Sequence, residues 1–114
     1  MLNKTALDWK AAADTIKFEG RAFINGRYTD ALSGQTRATF NPANGKALVD
    51  VALCGPQDAD LAVKGARAAF ESGEWSEMAP ADRKMVMVRW AELIEQHSDE
   101  LALLECLDVG KPIS

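Results

Sequence analysis

The sequence predicts an α+β segment in which a small antiparallel sheet is followed by helices. Residues 22–53 hold two turn signals, Asn25-Gly26 and the run Asn41 to Gly45, and the residues around them alternate in polarity as strand residues do. From residue 57 onward, apolar residues recur at helical spacing instead. We therefore expect strands in the first half of the chain and helices in the second.

The first 19 residues are predicted to form a short helix and an extended arm. Thr5-Ala6-Leu7-Asp8 has the pattern of a capping box, in which two side chains each bind a backbone N–H at the start of a helix. Alanine-rich sequence follows through Ala13. A helix this short is marginally stable alone, so Leu7 and Trp9 need a partner surface.

Three or four short strands are expected between residues 22 and 53. Asn-Gly supplies the positive φ angles of a two-residue type I′ turn, which predicts a hairpin at residues 22–29. Residues 36–40 form the next alternating run, and Pro42 ends it because proline has no N–H to donate to a ladder. The run at residues 46–53 has its apolar residues on one face: Ala47, Val49, Val51 and Leu53.

A helix is predicted near residues 57–72, after Gly55-Pro56. Its apolar stripe is mostly alanine and consists of Ala59, Ala62, Val63, Ala66 and Phe70. Small side chains let another element approach closely. We therefore expect this helix to pack tightly against a sheet or a second helix.

The last segment, residues 80–109, is predicted to form two consecutive helices. Pro80 is favoured at the first position of a helix. Ser98-Asp99-Glu100 looks like a new N-cap with an acidic first turn, so a break is expected near His97. The apolar stripe of this segment consists of Val86, Trp90, Leu93, Ile94, His97, Leu101 and Leu104.

Composition excludes several classes of function. The chain has 114 residues, 47% of them hydrophobic, which suits one globular domain. Its net charge is −4, with +2 on residues 1–57 and −6 on residues 58–114, so no basic face for nucleic-acid binding is expected. The sequence has neither a signal peptide pattern nor an apolar run long enough to span a membrane. We expect a cytoplasmic protein with reduced cysteines.

The residues that could carry chemistry are few. With a single histidine and no Cys-x-x-Cys pair, one chain cannot assemble a transition-metal site of the usual His and Cys type. Neither the dinucleotide-binding glycine pattern nor the phosphate-binding P-loop pattern occurs. His97 and Cys106 are interpreted as structural residues, and nothing beside Cys54 in the sequence would activate it as a nucleophile.

Asp108 is the carboxylate that needs a specific explanation. It lies near the C-terminal end of a predicted helix, where the helix dipole disfavours a negative charge. A compensating cation or donor is therefore expected. A structural salt bridge and an ion site both remain open.

Several stretches, taken in order from residue 20 onward, resemble the opening of NAD(P)+-dependent aldehyde dehydrogenases. They are Phe23-Ile24-Asn25-Gly26, Asn41-Pro42-Ala43-Asn44-Gly45, Ala66-Arg67-Ala68-Ala69-Phe70 with Trp75 after it, Arg83, and the run Leu101 to Pro112. Within the family, the chain most resembles bacterial polyamine-catabolic members that act on γ-glutamyl-aminobutyraldehyde or guanidinobutyraldehyde.

The resemblance implies that residues 20–114 are the N-terminal part of the α/β cofactor-binding domain, ending before the Rossmann core and the catalytic domain. The whole enzyme would oxidise an aldehyde with NAD or NADP through a cysteine thioester, and would be a homo-oligomer, either a dimer or a tetramer. None of the family's catalytic or cofactor-binding residues matches a position here. Thr39 and Asp108 match positions that help to hold a structural monovalent cation through oxygen atoms.

The alternative is a free-standing interaction module that evolved from such a segment. In-frame continuation after Ser114 to a Rossmann region and a catalytic cysteine would favour the enzyme, whereas a stop codon would favour the module. In either case the apolar stripes exceed what one small sheet can cover. We expect the isolated chain to self-associate or to be loosely packed.

Overall fold

The computed structural model describes residues 4–113 and confirms the predicted α+β segment. In chain order the elements are α1 (Ala6–Thr15), β1 (Ala22–Ile24), β2 (Arg27–Thr29), β3 (Thr36–Phe40), β4 (Ala47–Ala52), α2 (Pro56–Glu71), α3 (Pro80–Gln96) and α4 (Ser98–Val109). The first three residues of the predicted arm, and Ser114, lie outside the described residues. Within residues 4–113, no helix combines the length and the apolar composition needed to cross a membrane.

The capping box predicted for α1 is present and begins the helix at Ala6. The Asp8 backbone N–H donates to Thr5 Oγ1, and the Thr5 backbone N–H donates to Asp8 Oδ2 at 2.7 Å. The Lys4 ammonium lies 2.6 Å from Asp99 Oδ2 on α4 and 4.8 Å from the centre of the Trp9 ring. These contacts hold α1 against α4, which supplies the partner surface that so short a helix needs.

The strands form two antiparallel pairs, β1–β2 and β3–β4, rather than the single small sheet that the sequence predicts. Asn25 and Gly26 have φ angles of 53° and 77°, which confirms the predicted turn of the first hairpin. The chain between the two pairs, residues 30–35, belongs to neither strand pair. There the Leu32 N–H donates to the Asp58 carboxylate instead of to a strand.

The turn between β3 and β4 is organised by the buried Asn41. Its backbone N–H donates to the Lys46 carbonyl at 2.9 Å, and its carbonyl accepts from the Gly45 N–H at 2.8 Å. Its side-chain Oδ1 accepts from the Ala43 N–H at 2.9 Å. The predicted break after Phe40 is therefore a closed turn in which Asn41 binds the backbone on both sides.

Asp58 joins the N-terminus of α2 to the segment between the two hairpins. Its Oδ2 accepts from the Gly55 N–H at 2.8 Å, and its Oδ1 accepts from the Leu32 N–H at 2.9 Å. Asp58 as a whole is 4% exposed. The hydrogen bond from Gly55, followed by that from Leu32, lowers the pKa of Asp58 against the opposing effect of burial.

α2 packs with a different face from the one that the sequence predicts. The side toward the first hairpin carries Asp58, Leu61, Gly65 and Ala68, and a Cβ added at Gly65 would lie 3.5 Å from Asn25. The alanine-rich stripe faces outward, where Val63 is 67% and Phe70 is 60% exposed. The expected tight packing of that stripe is therefore wrong within this chain, because the hairpin meets the opposite side of the helix.

The predicted break between α3 and α4 is present at His97, whose backbone leaves the helical conformation at φ −101° and ψ 14°. Its ring is exposed, and Nδ1 lies 3.2 Å from Glu100 Oε2. His97 was expected on the apolar stripe. Its N–H still donates to the Leu93 carbonyl, so it continues the line of α3, and it is exposed as Trp90 and Ile94 of that stripe are.

The chain buries little apolar surface. Among the described residues, Ala31 and Leu103 are the buried hydrophobic residues, each 5% exposed. The accessible surface is 9007 Å², against about 6,100 Å² for a compact protein of this mass. The radius of gyration is 17.8 Å, against about 13 Å for a compact chain of this length. These values agree with the expectation of a loosely packed chain, while self-association stays a prediction.

We predict that Asp58→Asn lowers the melting temperature of the chain at neutral pH. An amide can accept from one of the two N–H groups but turns its own NH₂ toward the other. Because folding lowers the pKa of Asp58, the stability it contributes is present at neutral pH and is lost as the pH falls through its folded pKa. The difference in melting temperature between the wild type and Asp58→Asn should therefore become smaller at acidic pH.

The matched control for this variant is Asp60→Asn, an exposed carboxylate in the same helix. Thermal unfolding followed by circular dichroism at several pH values checks the prediction. Equal melting temperatures for the two variants at pH 7 would contradict the role given to Asp58.

We also predict that Trp90→Ala costs about 1 kcal/mol of unfolding free energy or less, because this ring is 59% exposed. Leu103→Ala should cost ~2–5 kcal/mol, because Leu103 is 5% exposed. Urea unfolding of monomeric protein measures both. A larger loss of unfolding free energy for Trp90→Ala than for Leu103→Ala would show that the Trp90 ring is packed in a hydrophobic core.

Candidate functional site

The candidate site is a cleft of about 550 Å³ between the β3–β4 pair and α4. Thr39 and Asp108, the two residues that the resemblance singles out, both line it. They come from opposite walls, one from a strand and one from the last turn of a helix. The structure therefore brings together two oxygen-bearing side chains that are far apart in the sequence.

Thr39 owes its position to an irregularity in the strand pairing. Ala38 pairs with Asp50 and Phe40 with Ala47, so the register shifts between them at Thr39. The Thr39 hydroxyl donates to the Val49 carbonyl at 3.2 Å. That bond uses the hydroxyl proton, so the lone pairs of the oxygen remain able to accept or to coordinate.

Asp108 is positioned by the way α4 ends. Gly110 has a φ of 75° and caps the helix in the left-handed conformation. A Cβ added at Gly110 would lie 3.0 Å from Pro42 Cγ, so the end of α4 lies directly against the turn that follows β3. This close approach brings the last turn of the helix, with its Asp108 carboxylate, to the wall formed by β3.

The cleft is rich in carboxylates. Besides Asp108 it is lined by Glu19, Glu100 and Glu105, with Lys17 as the basic residue. Hydrogen bonds from the Arg21 side chain and backbone lower the pKa of Glu19 to about 2, so Glu19 stays ionised. Two of these carboxylates are paired with basic side chains, Glu19 with Arg21 and Glu105 with Lys111.

The salt-bridge explanation of Asp108 finds no partner in the described part of the chain. Lys111, the nearest basic residue in the sequence, lies 3.3 Å from Glu105 instead. None of the ion pairs among residues 4–113 includes Asp108. The same residues contain no group of three or more His, Cys, Asp or Glu side chains placed to hold a metal ion. Thr39 and Asp108 thus form at most part of an oxygen site.

The cysteines and the histidine form no catalytic arrangement within residues 4–113. Cys54 is exposed after β4, and Cys106 is half-buried in α4, both as free thiols. The His97 ring nitrogen pairs with Glu100 rather than with either thiol.

The helix N-termini also do not suit a dinucleotide. A pyrophosphate is usually held by free N–H groups at the start of a helix. Here each described helix has an acidic residue in its first turn: Asp8 in α1, Asp58 in α2, Asp82 in α3, and Asp99 and Glu100 in α4. At α2 the Gly55 N–H is already bound by Asp58. The residues present therefore do not fit NAD or NADP.

An aspartate such as Asp58 in the first turn of a helix suits the positive end of the helix dipole, but the sequence gives no sign of its bond to Leu32. The two residues are 26 positions apart, and no local pattern links them. The contact between β4 and the segment just before β1 is a second long-range feature that the sequence does not reveal. The Gly20 carbonyl accepts from the Ala52 N–H at 2.7 Å, and a Cβ at Gly20 would lie 2.1 Å from the Asp50 carbonyl oxygen.

Comparison with known proteins gives a consistent result. The sequence model of the aldehyde dehydrogenase family matches residues 28–114. The chain is 48% identical to an aminoacetaldehyde dehydrogenase of Pseudomonas aeruginosa over 106 residues, which are 93% of this chain and 21% of that protein. It is 45% identical to the NADP/NAD-dependent aldehyde dehydrogenase PuuC of Escherichia coli, over 92% of this chain and 21% of that protein.

The fold matches solved structures as well. The crystal structure of a γ-glutamyl-γ-aminobutyraldehyde dehydrogenase from Burkholderia cenocepacia superimposes with a TM-score of 0.92 at 48% identity. The match covers 94% of this chain and 22% of that one. The chain thus spans about a fifth of the length of these relatives.

Proposed function

Because the chain belongs to the aldehyde dehydrogenase family, whose members oxidise aldehydes with NAD(P)+, we propose that it acts as the N-terminal part of such an enzyme. The observation that carries this proposal is a match that covers nearly the whole of this chain and about a fifth of the length of each relative. On this proposal residues 20–114 are the outer part of the cofactor-binding domain, and residues 1–19 are a helix and arm in front of it.

The reaction itself depends on groups that residues 4–113 do not supply. The cysteine that forms the thioester, the base that activates water and the NAD(P)+ site would all lie in the rest of the enzyme. What this chain contributes is structural. Its two hairpins and α4 form one side of the domain. The hydrogen bonds of Asp58 and Asn41 fix the hairpins relative to α2 and close the turn after β3.

The proposed substrate is an aldehyde from polyamine breakdown. The support is the similarity to one relative named for aminoacetaldehyde and to another named for γ-glutamyl-γ-aminobutyraldehyde. A higher kcat/KM for 4-aminobutanal than for butanal, measured on the enzyme that carries this segment, checks the proposal.

We further propose that the enzyme is a homo-oligomer and that it is located in the cytoplasm. Thiols such as the free Cys54 and Cys106 stay reduced there.

We predict that the chain alone forms no NADH from any aldehyde, and that it supports oxidation when joined to the remainder of a relative. The test protein, called the chimera below, carries this chain in place of the aligned N-terminal fifth of the Pseudomonas aminoacetaldehyde dehydrogenase. Aldehyde-dependent NADH formation by the chimera is the expected result. The same remainder without any N-terminal segment serves as the control.

Two outcomes would overturn the proposed function. One is a folded chimera that oxidises no aldehyde. The other is NADH formation by the lone chain that is abolished by Cys54→Ala. In either case the interaction-module alternative would gain support.

We also propose that Thr39 and Asp108 supply two ligands of a structural monovalent cation. A hard cation prefers oxygen ligands such as a hydroxyl and a carboxylate. Both line a cleft with further carboxylates, and Asp108 lacks an ion-pair partner in the described part of the chain. The other ligands would come from the rest of the enzyme.

We predict that sodium or potassium chloride raises the melting temperature of the chimera more than choline chloride does at equal ionic strength. Binding to the folded state alone stabilises it by mass action. Asp108→Asn should remove this difference, because it removes the charged ligand. Glu92→Gln, which neutralises an exposed carboxylate on α3, should leave the difference unchanged. An unaltered response in Asp108→Asn would contradict the cation site.

A further inference from the structure

Two asparagine–glycine pairs lie in exposed turns of the structure. Asn25-Gly26 forms the two-residue turn between β1 and β2, and Asn44-Gly45 lies in the turn between β3 and β4. The backbone nitrogen that follows an asparagine can attack the carbonyl carbon of the asparagine side chain. Glycine permits this attack best because it has no Cβ to crowd the approach. Both pairs are therefore chemically able to lose the side-chain amide.

Hydrogen bonds hold both reacting groups of the second pair. The Gly45 N–H, which contains the attacking nitrogen, donates to the Asn41 carbonyl at 2.8 Å. The side chain under attack is held as well, because Asn44 Oδ1 accepts from the Lys46 N–H at 2.9 Å. Asn44 can therefore react only after these bonds open.

The first pair has no such bonds. Among the hydrogen bonds of residues 4–113, none involves the Gly26 N–H or the Asn25 side chain. The ladder beside this turn is also the shorter one, since β1 and β2 have three residues each, whereas β3 and β4 have five and six. A two-stranded pair is marginally stable by itself, so the shorter one opens at the lower free energy. Such opening lets the nitrogen rotate toward the side chain.

We propose that the fold selects Asn25 over Asn44 as a site of spontaneous deamidation, with water as the co-reactant. The Gly26 nitrogen loses its proton and forms a bond to Asn25 Cγ, the Cγ–Nδ2 bond breaks, and the amide leaves as ammonia with that proton. Water then opens the cyclic imide. Cleavage of the new N–Cγ bond leaves an aspartate, and cleavage of the original backbone C–N bond leaves an isoaspartate. No group is oxidised or reduced.

The isoaspartate changes the structure around the turn, because its backbone runs through Cγ and is one carbon atom longer. Ile24 and Arg27 pair directly across this two-residue turn, so the extra atom shifts the ladder. The turn also lies against α2, since a Cβ added at Gly65 would be 3.5 Å from Asn25 Cβ and Oδ1. Deamidation at Asn25 therefore loosens the first hairpin from α2.

The test follows both asparagines in one sample of the chain, incubated at mildly alkaline pH and analysed by tryptic peptide mass spectrometry. Cleavage after arginine and lysine gives residues 22–27, with Asn25, and residues 38–46, with Asn44. The second peptide also contains Asn41, which is an internal control because the nitrogen of Pro42 has no proton to lose. The same incubation in urea gives the two rates in the unfolded chain.

In the folded chain Asn25 should convert at least about tenfold faster than Asn44, because Asn44 reacts only when its hydrogen bonds are open. In urea the two rates should converge, since both asparagines then precede glycine in an open chain. Equal rates in the folded chain, a faster reaction at Asn44, or no reaction at Asn25 would overturn the proposal. A difference that persists undiminished in urea would also overturn it, because neighbouring residues rather than the fold would then select the site.

The loosening of the hairpin is tested against Asn25→Asp, which has the new charge without the extra carbon atom. Aspartate tolerates the positive φ of 53° at this position. The isoaspartyl form, separated from the aged protein by ion-exchange chromatography, should melt at a lower temperature than Asn25→Asp. Equal melting temperatures would refute the shifted ladder.

Discussion

The structure depends on hydrogen bonds between side chains and nearby backbone, because the chain has almost no core of its own. Asp58 shows this most clearly. Its two carboxylate oxygens bind the start of α2 and the segment between the hairpins, and this connection does not require a layer of packed apolar side chains. Asn41 does the same for the turn after β3. Such bonds are directional, so they set the relative positions of elements that few apolar contacts would otherwise fix.

This explains which parts of the fold could be predicted from the sequence. The turn at Asn25-Gly26 and the capping box at Thr5 each depend on residues at most three positions apart, so the sequence displays them directly. The face of α2 was predicted incorrectly for a related reason. Apolar periodicity predicts one buried side of the helix, whereas the hairpin of this chain meets the other side. The Asp58–Leu32 bond spans 26 residues and has no local signature.

The candidate site was accessible to sequence reasoning only in part. The position of Asp108 at a helix C-terminus is unfavourable by the general rule for helix dipoles, and that rule alone predicts a compensating group. Thr39 has no comparable signal, since a threonine in a strand is ordinary. It was found through the family resemblance. The structure then adds what neither could give, namely the register shift at Thr39 and the approach of Gly110 to Pro42 that bring the two walls together.

The scarcity of internal contacts has a consequence for how this segment contributes to a larger enzyme. Since apolar burial is the main favourable term in folding, a chain that leaves the apolar residues of α3 largely exposed gains only part of the stability that its sequence could provide. The rest would be gained if the exposed apolar residues of α2 and α3 were covered, so packing and folding would be coupled. The local bonds around Asp58 and Asn41 fix the hairpins and α2 in an arrangement that superimposes on a solved relative with a TM-score of 0.92. A surface ordered in advance loses less conformational entropy on packing, which gives these polar bonds a role in assembly as well as in the isolated chain.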